Sequence, residues 1–183
     1  MTDRSSGATV KDDIERHIRE VPDFPVRGVS FKDITPLIED GPAFHAAVEE
    51  MARATEKVGY DRILSADARG FVFGSALAYR SKKGLILARK PNKLPRKTVS
   101  ASYELEYGSN TLEVHADSIP TGARVLVVDD LLATGGTARA MCQLVENASG
   151  VVAGVAFLIE LSYLGGRELL APYEVTSLLA YDK

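Results

Sequence analysis

The sequence predicts an α/β fold in which a mostly parallel twisted sheet is flanked by helices, and three observations lead to this prediction. Short apolar segments alternate with segments of helical periodicity along most of the chain, as is typical of β-α-β units. The apolar segments 124–130 and 151–161 lack the alternation of a half-exposed strand, which indicates burial on both faces of a parallel sheet. Polar and glycine residues follow several apolar segments, at the strand ends where such sheets bind ligands.

The N-terminal part of the chain begins with a predicted helix and continues as an irregular segment. Ile14 and Ile18 lie four residues apart, so a short amphipathic helix is predicted over 11–20. Prolines and a glycine interrupt residues 21–31, and this segment is predicted to be irregular. Apolar residues at helical spacing, with a proline near the first turn and a glycine just past the end, predict a second helix over 43–58.

The middle of the chain alternates between the two kinds of element. A strand is predicted over 62–67, a helix over 70–82 and a further strand over 85–90. Residues 91–110 are polar and contain two prolines and a glycine, so they are predicted to form a long loop or a hairpin. Residues 111–117 alternate apolar and polar side chains, as a half-buried strand does.

The C-terminal part repeats the pattern of buried strand and amphipathic helix. The continuous apolar segment 124–130 is predicted to be a central strand, and a helix is predicted over 137–148. Two further strands are predicted over 151–161 and 174–182. A single domain over residues 1–183 is the resulting expectation, since the length fits one hydrophobic core.

Composition and charge argue against several classes of protein. The net charge is −3, whereas domains that bind nucleic acid usually carry a basic excess. The one cysteine, Cys142, cannot form an internal disulfide and suits a reducing compartment. The start of the chain lacks the pattern of an export or transit signal, and no apolar run approaches 18 residues. We therefore expect a cytoplasmic protein with neither a nucleic-acid partner nor a membrane span.

The strongest functional signal lies in residues 125–137, which read VLVVDDLLATGGT. A buried strand presents Asp129 and Asp130 at its carboxyl end, and a turn containing Gly135 and Gly136 leads into a helix. Glycines allow backbone N–H groups to close on an anion, and the helix N-terminus adds partial positive charge. This arrangement predicts a phosphate site beside two carboxylates, which accept hydrogen bonds from sugar hydroxyls.

This segment differs from two familiar phosphate motifs. No lysine follows the glycines as a Walker A loop requires, and the G-x-G-x-x-G dinucleotide pattern is absent. An ordinary strand, turn and helix cap is the alternative, because glycine and threonine are common in turns and acids are favourable near a helix start. A lone G-G-T would favour that alternative, whereas two aspartates followed by A-T-G-G-T favour a ligand site.

The same segment resembles the signature of the type I phosphoribosyltransferases, which bind phosphoribosyl pyrophosphate. The resemblance implies that Asp129 and Asp130 meet the ribose hydroxyls, directly or through Mg²⁺ and water. The residues that it implies for the 5′-phosphate are Ala133, Thr134, Gly135, Gly136 and Thr137. Mg²⁺ is accordingly the expected cofactor, held mainly by substrate and water, and no residue is assigned as its direct ligand.

Four other segments, 22–37, 66–74, 89–108 and 161–168, resemble the adenine-specific branch of that family. The resemblance covers nearly the whole chain and implies transfer of the 5-phosphoribosyl group to adenine, with AMP and pyrophosphate as products, by a homodimer. Two alternatives stay open: a transferase for a 6-oxopurine, and a non-catalytic regulator that senses phosphoribosyl pyrophosphate. The first is disfavoured by the N-terminal resemblance, and the second by a glutamate in the loop and by the negative net charge.

Basic residues near the predicted strand ends suggest an anion site. Arg69 opens a predicted helix, where the helix dipole disfavours a cation unless an anion binds nearby; a solvated surface arginine is the alternative. The resemblance implies a pyrophosphate-binding loop here, with a non-proline cis peptide bond near residues 67–68. The residues that it assigns to pyrophosphate beyond this loop are Arg89, Lys90 and Lys93.

The segment 91–110 contains two glutamates, Glu104 and Glu106. Without the resemblance, either is better explained as a surface carboxylate on a mobile loop. The resemblance selects Glu106, in the triplet E-Y-G, as the catalytic acid/base near the purine. A long polar loop is also typical of a lid that closes to exclude water, so a flexible catalytic loop is expected over about 91–110.

The resemblance further implies a base-binding hood at about residues 22–37. Phe31 would stack on one face of adenine and Leu161 on the other, while backbone groups of Val29 and Ser30 would bind the exocyclic amine and ring nitrogens. Plain core packing is the alternative for Phe31 and Leu161, because single apolar residues are most often buried for that reason.

Overall fold

The protein alternates strands and helices, and the computed structural model describes residues 9–105 and 108–183. The helices are α1 (Val10–Arg16), α2 (Thr35–Glu39), α3 (Gly41–Thr55), α4 (Arg69–Ser81), α5 (Gly136–Asn147) and α6 (Gly166–Leu169). The strands are β1 (Arg19–Pro22), β2 (Ser30–Asp33), β3 (Arg62–Ala66), β4 (Gly84–Ala88), β5 (Thr98–Leu105), β6 (Gly108–His115), β7 (Arg124–Leu132), β8 (Val151–Leu161) and β9 (Val175–Tyr181). The chain divides near residue 50 into two units, and the prediction of one domain over 1–183 stays a prediction.

Five strands of the C-terminal unit form one parallel sheet in the order β4-β3-β7-β8-β9. The central strand β7 pairs with β3 on one side and with β8 on the other, and residues 125–128 within it are almost wholly buried. A strand covered on both faces needs a continuous apolar sequence, which explains why β7 occupies the centre. The predicted α/β fold with a parallel sheet flanked by helices is confirmed.

Two amphipathic helices pack against this sheet. α4 contacts β3, β4 and β7, while α5 contacts β7 and β8 as well as β5. The buried residues of α5 are Ala138, Ala140, Met141, Cys142, Leu144 and Val145. Removing a large apolar side chain from water contributes about 1.5–3 kcal/mol, so burial of these faces holds the two helices against the sheet. Within the described residues, no helix has both the length and the apolar character needed to cross a membrane.

The segment predicted as a loop or hairpin contains a hairpin strand. β5 and β6 pair antiparallel, from Thr98 opposite His115 to Leu105 opposite Gly108. Ala101, Leu112 and Val114 are buried in the same core as the parallel sheet. Because these alternate side chains reach the core, the part of the hairpin whose side chains are described is tied to the main unit.

The N-terminal unit differs from the sequence prediction in its boundaries. α1 begins at a capping box in which Thr9 and Asp12 each bond the other's backbone N–H, and it ends four residues before the predicted limit of 20. The chain then forms β1, which pairs antiparallel with β2. In this pairing the backbone N–H and carbonyl groups of β1 bond to β2 instead of continuing the helix. The segment predicted to be irregular, 21–31, therefore has a short strand at each end.

Candidate active site

The carboxyl end of β7 carries the two aspartates that the sequence singled out. Asp129 and Asp130 are 9% and 5% exposed, although both carry carboxylates. Asp130 donates its backbone N–H to Asp129 Oδ1 at 2.9 Å. Two acids enclosed this closely are costly in a folded protein unless ligands or cations meet them, so the site has the character of a binding centre.

The electrostatics of this pair are unequal. Burial raises the pKa of Asp129 well above its usual value, and the negative charge of Asp130 adds to that rise. Asp130 Oδ2 lies 2.9 Å from Arg69 Nε in an ion pair, yet it is fully enclosed and accepts no well-aligned hydrogen bond from any described residue. An acceptor in this condition suits a sugar hydroxyl or a hydrated cation.

Helix α4 approaches the aspartates through a glycine. A Cβ atom built on Gly70 would lie 2.5 Å from Asp129 Oδ1, which is closer than a Cβ atom approaches a non-bonded atom in real proteins. One turn later, a Cβ on Gly74 would lie 2.0 Å from Ser65 Oγ, and that hydroxyl donates to the backbone carbonyl of Val128 at 2.8 Å. Gly70 therefore lets α4 pack directly on β7, and Gly74 lets it pack directly on β3, so the helix holds the acidic strand end in place.

The turn after β7 forms a small cavity with the aspartates. Gly135 has φ +86°, a conformation that glycine adopts without the steric cost of a Cβ, and α5 begins at the next residue. The cavity measures about 220 Å³ and is lined by residues 129–138 together with Arg69 and Tyr103. The α5 N-terminus and the turn thus place backbone N–H groups beside the two carboxylates, an arrangement that suits a phosphate.

Tyr103 of the hairpin is a cavity residue to which the sequence reasoning assigned no role. Its hydroxyl accepts a hydrogen bond from Thr137 Oγ1 at 3.1 Å, and its ring lies so near Gly136 that a Cβ there would be 2.9 Å from Tyr103 Cδ2. The tyrosine and the turn are about 30 residues apart in the chain, and no sequence pattern links them. The contact depends on the packing of β5 against α5.

The ends of β3 and β4 carry the predicted basic residues. Arg89 donates from Nε and Nη2 to Asp67 Oδ2 at 2.9 and 2.8 Å, and from Nη1 to the backbone carbonyl of Lys93 at 3.3 Å. Lys90 and Lys93 are exposed. The peptide bond between Asp67 and Ala68 is cis, as expected. Arg89, Lys90 and Lys93, together with Arg69 at the start of α4, form a cationic rim beside the cavity. The positive charge of this rim favours an anion at the strand ends.

The hairpin is joined to this rim through its backbone. Arg89 and Glu113 exchange two backbone hydrogen bonds of 2.9 and 2.8 Å, and Glu113 Oε2 accepts from the N–H of Asn92 at 3.3 Å. The predicted catalytic residue Glu106 lies outside the described residues, between the described parts of the hairpin. Its role stays a prediction.

The predicted base-binding residues belong to both units. In the N-terminal unit, Phe31 packs edge-on against Phe24 with ring centroids 5.1 Å apart, and Ser30 Oγ donates to Glu20 Oε1 at 2.5 Å. Val29 is 40% exposed. In the C-terminal unit, Leu161 ends β8 and is 8% exposed. The adenine-binding roles of these residues stay predictions.

The structure thus brings one set of predicted residues into a single cavity and a second set to the neighbouring strand ends. The cavity set is Arg69, Asp129, Asp130, Ala133, Thr134, Gly135, Gly136 and Thr137. The neighbouring set is Arg89, Lys90 and Lys93. Within the described residues, no group of three or more histidine, cysteine, aspartate or glutamate side chains is placed to hold a metal ion.

A family model and the relatives of known name both show similarity to phosphoribosyltransferases. A family model described as the phosphoribosyl transferase domain matches residues 37–175. The adenine phosphoribosyltransferase of Rubrobacter xylanophilus is 68% identical over 169 residues, which cover 92% of this chain and 91% of that protein.

Solved structures show the same similarity. The adenine phosphoribosyltransferase of Thermoanaerobacter pseudethanolicus superposes with a TM-score of 0.91 at 48% identity, covering 93% of this chain and 99% of that one. The Saccharomyces cerevisiae enzyme, complexed with an imino-altritol bisphosphate and adenine, superposes with a TM-score of 0.87 at 34% identity, covering 92% and 98% of the two chains.

Proposed function

This chain belongs to the phosphoribosyltransferase family, and from that premise we propose how its residues carry out the reaction. It is a pentosyltransferase of purine salvage that transfers the 5-phosphoribosyl group of phosphoribosyl pyrophosphate to adenine, giving AMP and pyrophosphate. The observation that carries the assignment of roles is the pair of enclosed aspartates at the end of β7, directly followed by the glycine turn of the 220 Å³ cavity.

The cavity residues hold the ribose 5-phosphate part of the donor. Backbone N–H groups of the turn 133–137 and the α5 N-terminus bind the 5′-phosphate, assisted by the hydroxyls of Thr134 and Thr137. Asp129 and Asp130 accept hydrogen bonds from the ribose hydroxyls. Asp130 Oδ2 accepts no well-aligned hydrogen bond from any described residue. This supports the assignment, because a sugar hydroxyl would donate a hydrogen bond to it. Fixing the sugar in this way supplies the positional part of catalysis, which is worth up to about 7–11 kcal/mol.

The residues present also fit Mg²⁺. This ion is usually held by one or two carboxylates together with substrate phosphate oxygens and water, and the aspartate pair offers carboxylates without forming a closed protein cage. When bound with the donor, Mg²⁺ neutralises charge on the departing pyrophosphate. Asp129 and Asp130 are the residues that would face it, through the ribose hydroxyls or through water.

The cationic rim receives the pyrophosphate. Arg69, Arg89, Lys90 and Lys93 stand at the ends of β3 and β4 or at the start of α4. Negative charge grows on the leaving group as its bond to the sugar breaks, and by analogy with glycoside chemistry the sugar acquires oxocarbenium character. Preorganised cations stabilise that growing charge more than they stabilise the ground state.

The remaining predicted residues bind adenine and exchange a proton with its ring. Phe31 and Leu161 stack on the purine, backbone groups of Val29 and Ser30 bind its edge, and Glu106 exchanges a proton with the ring. A positioned acid/base of this kind contributes about 10²- to 10⁴-fold to the rate. These roles rest on the resemblance of the segments 22–37, 89–108 and 161–168 to adenine-specific relatives.

The decisive experiment measures AMP formation from phosphoribosyl pyrophosphate with adenine, hypoxanthine, guanine and xanthine in parallel, with and without Mg²⁺. We expect adenine to be the preferred base and the reaction to depend on Mg²⁺. A preference for a 6-oxopurine would refute the assignment of the base. Glu106→Ala should lower turnover about 10²- to 10⁴-fold while binding of the donor is retained; a wild-type protein that binds the donor but converts no purine would instead be a regulator.

Three further properties belong to this proposal. A homodimer is proposed from the family resemblance, and light scattering tests it by giving the mass in solution. A single folding domain over residues 1–183 predicts one cooperative unfolding transition in calorimetry. A cytoplasmic location is proposed because the lone Cys142 suits a reducing compartment, and cell fractionation followed by the adenine-dependent assay tests it.

A further inference from the structure

The phosphate-binding turn rests on a second glycine turn from a distant part of the chain. A Cβ atom on Gly166 would lie 2.2 Å from the carbonyl oxygen of Ala133 and 3.0 Å from the backbone nitrogen of Gly135. In return, a Cβ on Gly135 would lie 2.7 Å from the carbonyl oxygen of Gly166. The two backbones therefore lie in direct contact, with the Leu132 side chain beside them (its Cδ1 would be 2.9 Å from a Cβ on Gly166), and a shift of one is transmitted to the other.

Residue 167 fixes this second turn to the sheet. Arg167 donates from Nε to Glu160 Oε1 at 2.8 Å, from Nη2 to Glu160 Oε2, and from Nη1 to the carbonyl of Val175 at 2.9 Å. Ser177 Oγ also donates to Glu160 Oε2, at 2.7 Å. The arginine thus joins the turn to β8, which carries Glu160, and to β9, which carries Val175 and Ser177.

The turn needs this attachment because its own secondary structure is weak. α6 has four residues, far fewer than an isolated helix needs to be stable. Glu160 is 5% exposed, whereas about half of the Arg167 side chain is exposed. The arginine is therefore not required to fill the core, and its visible effect is the set of hydrogen bonds that it makes.

We propose that Arg167 is a positioning residue for the 5′-phosphate: through its fork on Glu160 it holds the turn at Gly166 against the carbonyl of Ala133 and the N–H of Gly135. The proposal deepens the proposed function and rests on it, since it takes residues 133–137 to be the phosphate site. Arginine suits the task because its planar guanidinium bonds both carboxylate oxygens at once, which lysine cannot do.

The test compares Arg167→Met with the double variant Glu160→Gln, Arg167→Met. The single variant leaves the buried Glu160 carboxylate without its cationic partner, with only the Ser177 hydroxyl still donating to it, which destabilises the fold for a reason unrelated to the phosphate. The double variant removes that charge as well, so it should regain most of the unfolding stability lost by the single variant. If Arg167 positions the turn, the double variant should not regain binding of ribose 5-phosphate.

Calorimetric titrations supply the readout that a purely structural role would not change. We expect both variants to bind ribose 5-phosphate about 10- to 100-fold more weakly than the wild type, in line with the effect of a small displacement of a binding group, while the affinity for pyrophosphate changes less than about twofold. The KM for phosphoribosyl pyrophosphate should rise accordingly. Arg167→Lys, which keeps the charge without the fork, should show an intermediate loss.

Arg124→Met is the matched control. Arg124 also donates its guanidinium to backbone carbonyls, those of Gly59 and Val58, but it stands at the amino end of β7, away from the phosphate turn. This variant should bind ribose 5-phosphate as the wild type does, even if its stability falls. Equal losses in the Arg124 and Arg167 variants would indicate a general effect of instability and would overturn the proposal.

Two further outcomes separate the inference from its premise. Wild-type affinity for ribose 5-phosphate in Arg167→Met, or recovery of that affinity in the double variant, would overturn the positioning role while leaving the enzyme's activity intact. A wild-type protein that neither binds ribose 5-phosphate nor forms AMP would overturn the proposed function itself. If Arg167→Met does not fold, the double variant and Arg167→Lys carry the comparison.

Discussion

The contact between the two glycine turns allows a direct test by adding one methyl group. Gly135→Ala places a Cβ where φ is +86° and where the carbonyl oxygen of Gly166 would be 2.7 Å away. The position of the alanine Cβ is fixed by its own backbone, and the atom that it meets is a backbone carbonyl oxygen, so rotating a side chain cannot relieve the contact. One turn must move, and the geometry of the phosphate site moves with it.

A matched glycine separates the two costs of this substitution. Gly122 has φ +76°, and a Cβ built on it meets no described heavy atom within 4 Å. Gly122→Ala therefore carries only the conformational cost of a left-handed alanine, about 1–2 kcal/mol. Gly135→Ala carries that cost together with an overpacking cost of about 1–3 kcal/mol, which gives a total of about 2–5 kcal/mol.

Urea unfolding and ribose 5-phosphate titration measure the two effects. We expect Gly135→Ala to lower the free energy of unfolding by about 1–3 kcal/mol more than Gly122→Ala does, and to weaken ribose 5-phosphate binding by about tenfold or more. Gly122→Ala should bind the ligand normally. If the two variants lose equal stability and both bind ribose 5-phosphate as the wild type does, the contact at Gly166 has no energetic weight and the reasoning is refuted.

Three other predictions concern charged and titrating groups. Asp130→Asn removes the charge that faces Arg69, and kcat/KM for phosphoribosyl pyrophosphate should fall about 10- to 100-fold because hydrogen bonds to charged groups contribute about 1.5–3 kcal/mol; an unchanged value in steady-state assays would contradict this. Hydrogen bonds from Arg167 lower the pKa of Glu160, so its stabilising effect is complete above the usual glutamate pKa and is lost as pH falls through the lowered value. Urea unfolding at a series of acidic pH values should accordingly show a shallower loss of stability in Glu160→Gln than in the wild type, and parallel pH profiles would count against the ion pair. Burial raises the pKa of Cys142 to about 12, so Ellman's reagent should label the thiol only after unfolding, and rapid labelling of the folded protein would disprove its enclosure.

The cavity at the carboxyl end of β7, which we propose as the phosphate and ribose site, is the part of the structure whose residues could be predicted most completely from the sequence. Residues 125–137 form one uninterrupted strand, turn and helix start, so their relative placement follows from local geometry. The apolar run before Asp129 indicates a central strand, and a central parallel strand delivers the residues that follow it to the ligand-binding edge. The cavity formed by this segment and Arg69 agrees with that expectation.

The short strands of the N-terminal unit were harder to predict for a physical reason. β1 and β2 have four residues each and contain or adjoin prolines and glycines, so neither shows a clear two-residue periodicity. Their backbone groups are satisfied only once they pair with each other. The predicted helix over 11–20 was therefore too long, because its last two residues belong to β1 and pair with β2.

The sequence by itself determined the order of the strands and long helices of the parallel sheet, the central position of β7 and the chemistry presented at its end, because periodicity and motif spacing are properties of neighbouring residues. Only the tertiary structure decided that Tyr103 packs on the turn after β7, that Asp67 pairs with Arg89, and that Gly166 contacts Gly135. Each of these contacts joins segments 22 or more residues apart, and such a contact exists only after the sheet has brought strand ends together. The periodicity and motifs of the sequence contain no signal for the distance between two such segments. That distance is set when the backbone packs closely in the folded protein.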